Sequence, residues 1–162
     1  NSPKWMKLIL NAAELVPSAI LDLSIVETTK FKDMKAVMLA AGDEAVEAAK
    51  LLDYKIRPIF GMTGLDAASP ETFVKTILDE LAANYILPHS KSTVLQDWMK
   101  GRHSEVNELN GLVVKALEAH GQKAPTNQAV VEFALAIERG EKTRGIHNYG
   151  PLLERIAELK SS

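Results

Sequence analysis

The stretch LQDWMKGRHSEVNELNG, residues 95–111, decides how the chain is read, because it sets an acid where helical periodicity asks for an apolar residue. If one helix runs from about Ser104 to His120, with Gly121 as its stop, successive side chains step by about 100°. Val106, Leu109, Leu112, Val113, Ala116 and Leu117 then fill one arc. Glu105 lies inside that arc, Glu108, Lys115 and Glu118 on the far side, and Asn110 just past the opposite edge. The wheel therefore turns Glu105 toward the protein body or a cleft in it. A carboxylate in that position is costly unless it is hydrogen-bonded or paired. Two readings stay open. Glu105 is a first-turn anion, favoured by free amides and the helix dipole behind a His103 or Ser104 N-cap, or it is a site residue.

The same period extends along most of the chain. KWMKLILNAAELVPSAILDL reads as one helix with a bend or break near Pro17. In the segment from Thr28 to Asp53, Phe31, Met34, Val37, Met38, Ala41, Ala45, Ala48 and Leu52 recur at helical spacing. KIRPIFGMTGLDAA reads as a loop, and Ser69 with Pro70 opens another helix in the manner of an N-cap followed by proline. A short helix is expected around STVLQDWMK, a further one behind Thr126 as N-cap, and a last one after Pro151. No run of alternating β-branched residues and no fixed repeat appears. The expected fold is all-α: one domain over residues 1–162, with about six or seven helices.

Composition narrows the function classes. At 162 residues, 46% hydrophobic and 25% charged, the chain suits a single globular domain with a substantial core. A net charge of −2 with scattered Lys and Arg argues against nucleic acid, and the absence of any roughly 20-residue apolar run argues against a membrane span. Zero cysteines exclude disulfides and thiolate zinc, and fit a cytoplasmic location. The opening NSPKW lacks an initiator Met, which points to a piece of something longer. His89, His103, His120 and His147 show no metal-ligand spacing, so no metal is expected; His103 and His120 read as helix-end residues. Trp5 and Trp98 read as core anchors. No dinucleotide fingerprint, Walker loop, nucleophile elbow or zincin motif is present. One polar group does stand out: Lys7, Asn11 and Glu14 share a face at i, i+4 and i+7. Periodicity alone fits that face equally to bulk water and to a substrate cleft.

Two segments together resemble the C-terminal domain of ketopantoate reductases (2-dehydropantoate 2-reductases). WMKLILN matches the family's Trp-x-Lys-Leu-x-x-Asn, and residues 92–127 follow its Leu-Gln-Asp, Gly-Arg, acid, Leu-Asn-Gly, His-Gly and Pro-x-Asn pattern in spacing throughout. The resemblance implies a helical domain, also similar to 6-phosphogluconate dehydrogenase-like proteins, that supplies substrate groups. A Rossmann domain that binds NADP(H) precedes it in the family and is absent from this chain. It further implies Lys7 as catalytic lysine, Glu105 as its catalytic partner and anchor of the substrate hydroxyl, and Asn11 and Thr93 as substrate-binding residues. Asn110 and Asn127 read as structural. One departure concerns specificity: Leu15 replaces the asparagine usual eight residues after the lysine, and Pro17 falls one residue late. The expected function is the substrate domain of an NADP-dependent reductase of 2-dehydropantoate or a related 2-keto acid, in a possible homodimer. The competing expectation is a stand-alone binding module that dimerises through its Ala-rich helix.

Overall fold

The computed structural model describes the backbone of residues 2–51 and 93–162 and the side chains of Ile9, 11–51 and 94–162. The expected loop around Gly61 and the helix behind Ser69 lie outside these residues. The described residues are helical and contain no strand. Helix α1 spans Ser2–Ile20 and remains continuous through Pro17. Proline removes one backbone donor there, and the following Ser18 hydroxyl bonds back to the Glu14 and Leu15 carbonyls at 2.8 and 3.0 Å. The far end of α1 is closed from a distance. Gly145 N–H and the Asn148 amide both donate to the Ile20 carbonyl, at 2.9 and 3.0 Å.

Helix α2, Ile25–Thr29, starts with a reciprocal capping box between Ser24 and Glu27. Helix α3, Lys32–Leu51, then packs along α1 more extensively than any other described pair. Its alanines at 41, 45, 48 and 49 are all buried. There they let neighbouring helices approach closely, while Ala36 of the same helix stays exposed.

Helix α4 covers Thr93–Met99, α5 Asn110–Ala119, α6 Pro125–Glu138 and α7 Tyr149–Ser161, with a 3-10 turn at Ile146–Asn148. Three expectations need correction. The helix expected from Ser104 begins only at Asn110. Residues 105–109 form tight turns, in which Glu108 and Leu109 N–H both donate to the Glu105 carbonyl at 3.0 Å, and Gly111 N–H reaches the Val106 carbonyl. The wheel drawn through this segment was thus out of phase at its start, and Leu112 is more exposed than its arc predicts. Thr126 is not an N-cap, because α6 already begins at Pro125. Its opening amides at Thr126 and Asn127 are bonded instead by the Glu44 carboxylate, at 3.0 and 2.9 Å. The last helix begins at Tyr149, with Pro151 inside its first turn. The expected stop is found: Gly121 has φ +73°, a backbone that favours glycine.

Two apolar clusters form the core. One joins α1, α3 and α5 around Ile9, Met38 and Leu117; the other joins the far end of α1 to α4, α6 and α7 around Ile20, Leu95 and Leu152. Between the helices lies a buried polar node. Asn110 Nδ2 donates to the Ala12 carbonyl at 2.9 Å and to Asn127 Oδ1 at 2.8 Å, while Asn127 Nδ2 donates to the Ala41 carbonyl at 3.0 Å and to Glu44 at 2.8 Å. Both asparagines are fully buried, so the structural role expected of them holds. Truncating Asn110 strands the buried Asn127 Oδ1, at about 1–3 kcal/mol, and also removes the bond that ties Asn110 to the Ala12 carbonyl. Urea titration of Asn110→Ala should accordingly show a loss of about 2–4 kcal/mol. A loss below about 0.5 kcal/mol would mean that the node is dispensable.

Candidate functional site

Helix α1 supplies the first wall. Lys7 and Asn11 are one turn apart, about 6 Å along the axis, and Asn11 is half-buried. Lys7 is placed in the helix by its backbone. Glu14, on the same face, is not the solvated residue that the amphipathic pattern suggests: it is 5% exposed, and its Oε1 has no hydrogen-bond partner among the described residues. Burial pushes its carboxyl up to about 8. The carboxyl is therefore largely protonated at neutral pH, which removes the cost of burying a charge.

Glu105 is the corrected residue. It stands exposed in the turn before α5, not facing inward from a helix. The first-turn capping explanation loses its basis too, since no helix starts beside it. Both ends of its segment are anchored. On one side Asn110, five residues on, is bonded to Ala12, the neighbour of Asn11 in α1. On the other, Gly101 (φ +74°) closes α4, with Arg102 N–H returning to the Asp97 carbonyl at 2.8 Å. Thr93 is the first residue of α4, and α4 packs on α1. Helix α4 thus packs on the far end of α1 and the Glu105 segment on its middle, while the side chains of Lys7 and Thr93 lie outside the described residues.

A residue that sequence reasoning passed over holds the start of the Glu105 turn. Glu138 Oε2 accepts hydrogen bonds from Trp98 Nε1 (2.8 Å), Ser104 N–H (2.7 Å) and Ser104 Oγ (2.5 Å). His103 Nδ1 lies 3.3 Å from its Oε1. The Glu138 side chain is only 7% exposed. Burial works to raise its carboxyl, but the bonds from Ser104, Trp98 and His103 outweigh burial and hold it below the ordinary carboxylate range. One signal was available: an acid in the last turn of a helix opposes the dipole and needs a partner elsewhere. Trp98 is a core anchor, as expected, but it also carries a specific bond. Glu44 was missed for another reason, since it caps a helix 82 residues away in sequence. Burial raises its carboxyl, opposed by the bonds from Asn127 and Thr126. Among the described residues no group of three His, Cys, Asp or Glu could hold a metal, and no helix is long and apolar enough to cross a membrane.

Residues 1–138 match the family model of the ketopantoate reductase PanE/ApbA C terminal. The chain belongs to that family. It is 26% identical over 136 residues to a 2-dehydropantoate 2-reductase of Archaeoglobus fulgidus, an alignment covering 84% of this chain and 40% of that protein. Its fold matches the crystal structure of a PanE/ApbA family ketopantoate reductase from Ralstonia eutropha with a TM-score of 0.72 and 27% identity, over 86% of this chain and 41% of that one. The chain therefore spans about two fifths of the length of these relatives, and it carries an oxidoreductase family's C-terminal helical domain.

The Glu14 environment sets a pH dependence. Its folded value lies above the ordinary 4.5, so its contribution to stability is full below pH 4.5, declines as the pH rises and levels off above about 8. The decline amounts to a few kcal/mol. Glu14→Gln should flatten unfolding free energy across that window and raise it at the alkaline end. An unchanged profile would show that Glu14 ionises freely in the folded protein.

Proposed function

We propose that this chain is the substrate-binding part of an NADP-dependent 2-keto acid reductase acting on 2-dehydropantoate, with Lys7 and Glu105 as catalytic residues and Asn11 and Thr93 binding substrate. One observation carries the reading. The Asn110 bond to the Ala12 carbonyl seats the segment of Glu105 on the middle of α1, beside the turn that bears Lys7 and Asn11. Family membership supports the same assignment, since Lys7, Asn11, Thr93 and Glu105 all lie within the matched residues 1–138.

The helix starts bear on where the cofactor is held. Helix N-termini are natural phosphate sites, yet the amides opening α6 are taken by Glu44 and those of the α2 cap by Ser24 and Glu27. These two starts do not fit a pyrophosphate. NADP(H) would be bound mainly by a Rossmann domain beyond these residues.

This chain's contribution is then to the substrate. Reduction of a 2-keto acid builds negative charge on the carbonyl oxygen. An ammonium at Lys7 would stabilise that oxygen and deliver its proton. Asn11, one turn on, would orient the same end of the molecule by hydrogen bonding, while Glu105 would accept from the substrate hydroxyl. Thr93 offers a hydroxyl to the substrate carboxylate. Leu15, where the family usually has asparagine, removes one amide from this region, so a related 2-keto acid is the natural competitor for the site.

In the full-length protein, Lys7→Ala should lower turnover of 2-dehydropantoate by about a hundredfold or more while the thermal unfolding midpoint stays near that of the parent. Near-parental turnover would remove Lys7 from the chemistry. Glu105→Ala should weaken binding of the keto acid and leave the NADPH dissociation constant unchanged, as separate titrations would show. Equal weakening of both ligands would remove Glu105 from the substrate subsite.

A further inference from the structure

Glu138 lies at the last residue of α6, where helix carbonyls disfavour an anion, and its side chain is nearly withdrawn from water. A carboxylate persists there only because donors converge on it. All of them come from one short piece of chain, residues 98–104, which leads directly into the turn of Glu105. The Ser104 hydroxyl that donates to Glu138 also accepts from Val106 N–H at 3.3 Å, so the clamp extends across Glu105. Downstream, Asn110 fixes the other end on α1. The backbone between these two anchors has little freedom left. Unlike Glu105, Glu138 is tucked behind this segment and bonded to it.

We propose that Glu138 is a positioning residue for catalysis, which holds the 98–104 segment so that Glu105 projects toward the substrate bound along α1. This rests on the reading of Glu105 as a site residue. A displacement of about 1 Å at a reacting group can cost about a hundredfold, so a clamp on the residues directly before Glu105 has leverage on rate without touching substrate.

The test is a double-mutant cycle in the full-length reductase, with KM for the keto acid, KM for NADPH and kcat measured separately. Glu138→Ala should lower kcat/KM for the keto acid by about ten- to a hundredfold with KM for NADPH unchanged. Glu138→Gln, which keeps one oxygen to accept the Trp98 and Ser104 donors, should recover a large part of that loss. In a Glu105→Gln background, Glu138→Ala should cost less than about twofold, because the group it positions is already gone. If the full penalty of Glu138→Ala persists in that background, or if KM for both substrates shifts together, Glu138 is a stability element and the proposal is overturned. If Glu105→Gln alone leaves the kinetics at parental values, the reading of Glu105 fails, and the positioning role falls with it. Where Glu138→Ala does not fold, Ser104→Ala removes the hydroxyl that joins Glu138 to Val106 N–H and runs through the same cycle with the same two outcomes.

Discussion

The architecture depends on a pair of buried asparagine amides. Asn110 and Asn127 bond to each other and, between them, to α1, α3 and the opening of α6. Apolar packing could hold these helices together in several registers, since alanine and valine faces are forgiving. Buried amides are not, because each donor left without an acceptor costs as much as a sizeable apolar contact contributes. The node therefore fixes how far along α1 the segment of residues 105–110 sits. The proposed function depends on that register: slid by a turn, the segment of Glu105 would no longer sit at Ala12, the neighbour of Asn11.

Carboxylates in this fold do structural jobs that a reader of sequence would assign to solvent. Glu44 caps a helix from another element, Glu138 clamps a loop, and Glu14 is buried with its proton kept. Each is stabilised differently. Glu44 and Glu138 gather several donors, whereas Glu14 escapes the cost of a buried charge by staying neutral. Glu105 alone of the four is exposed. Acids already committed to the scaffold are poor partners for a substrate.

Much of the helical plan was legible because the 3.6-residue period is strong in α1 and α3 and because glycines such as Gly121 mark real ends. The phase at Glu105 was not legible. Periodicity fixes a side chain's direction only once a helix has begun, and the 105–109 turns delay that start by six residues relative to the expected Ser104. Asn110 showed the same limit: set just past the edge of the apolar arc, it proved fully buried. Long-range caps were invisible for a different reason. Thr126 looked like an N-cap because it is the right residue type near the right place, but Glu44 performs the task from 82 residues upstream. The family, by contrast, was legible through resemblance, and the family match covers residues 1–138.

The central claim is that positions 7 and 105 face each other across one hollow. The chain contains no cysteine, so Lys7→Cys and Glu105→Cys can be combined and labelled with nitroxides without background. The frozen-solution spectrum of the doubly labelled protein should show dipolar broadening that neither single variant shows. A spectrum equal to the sum of the two singly labelled ones would place these residues apart and contradict the account.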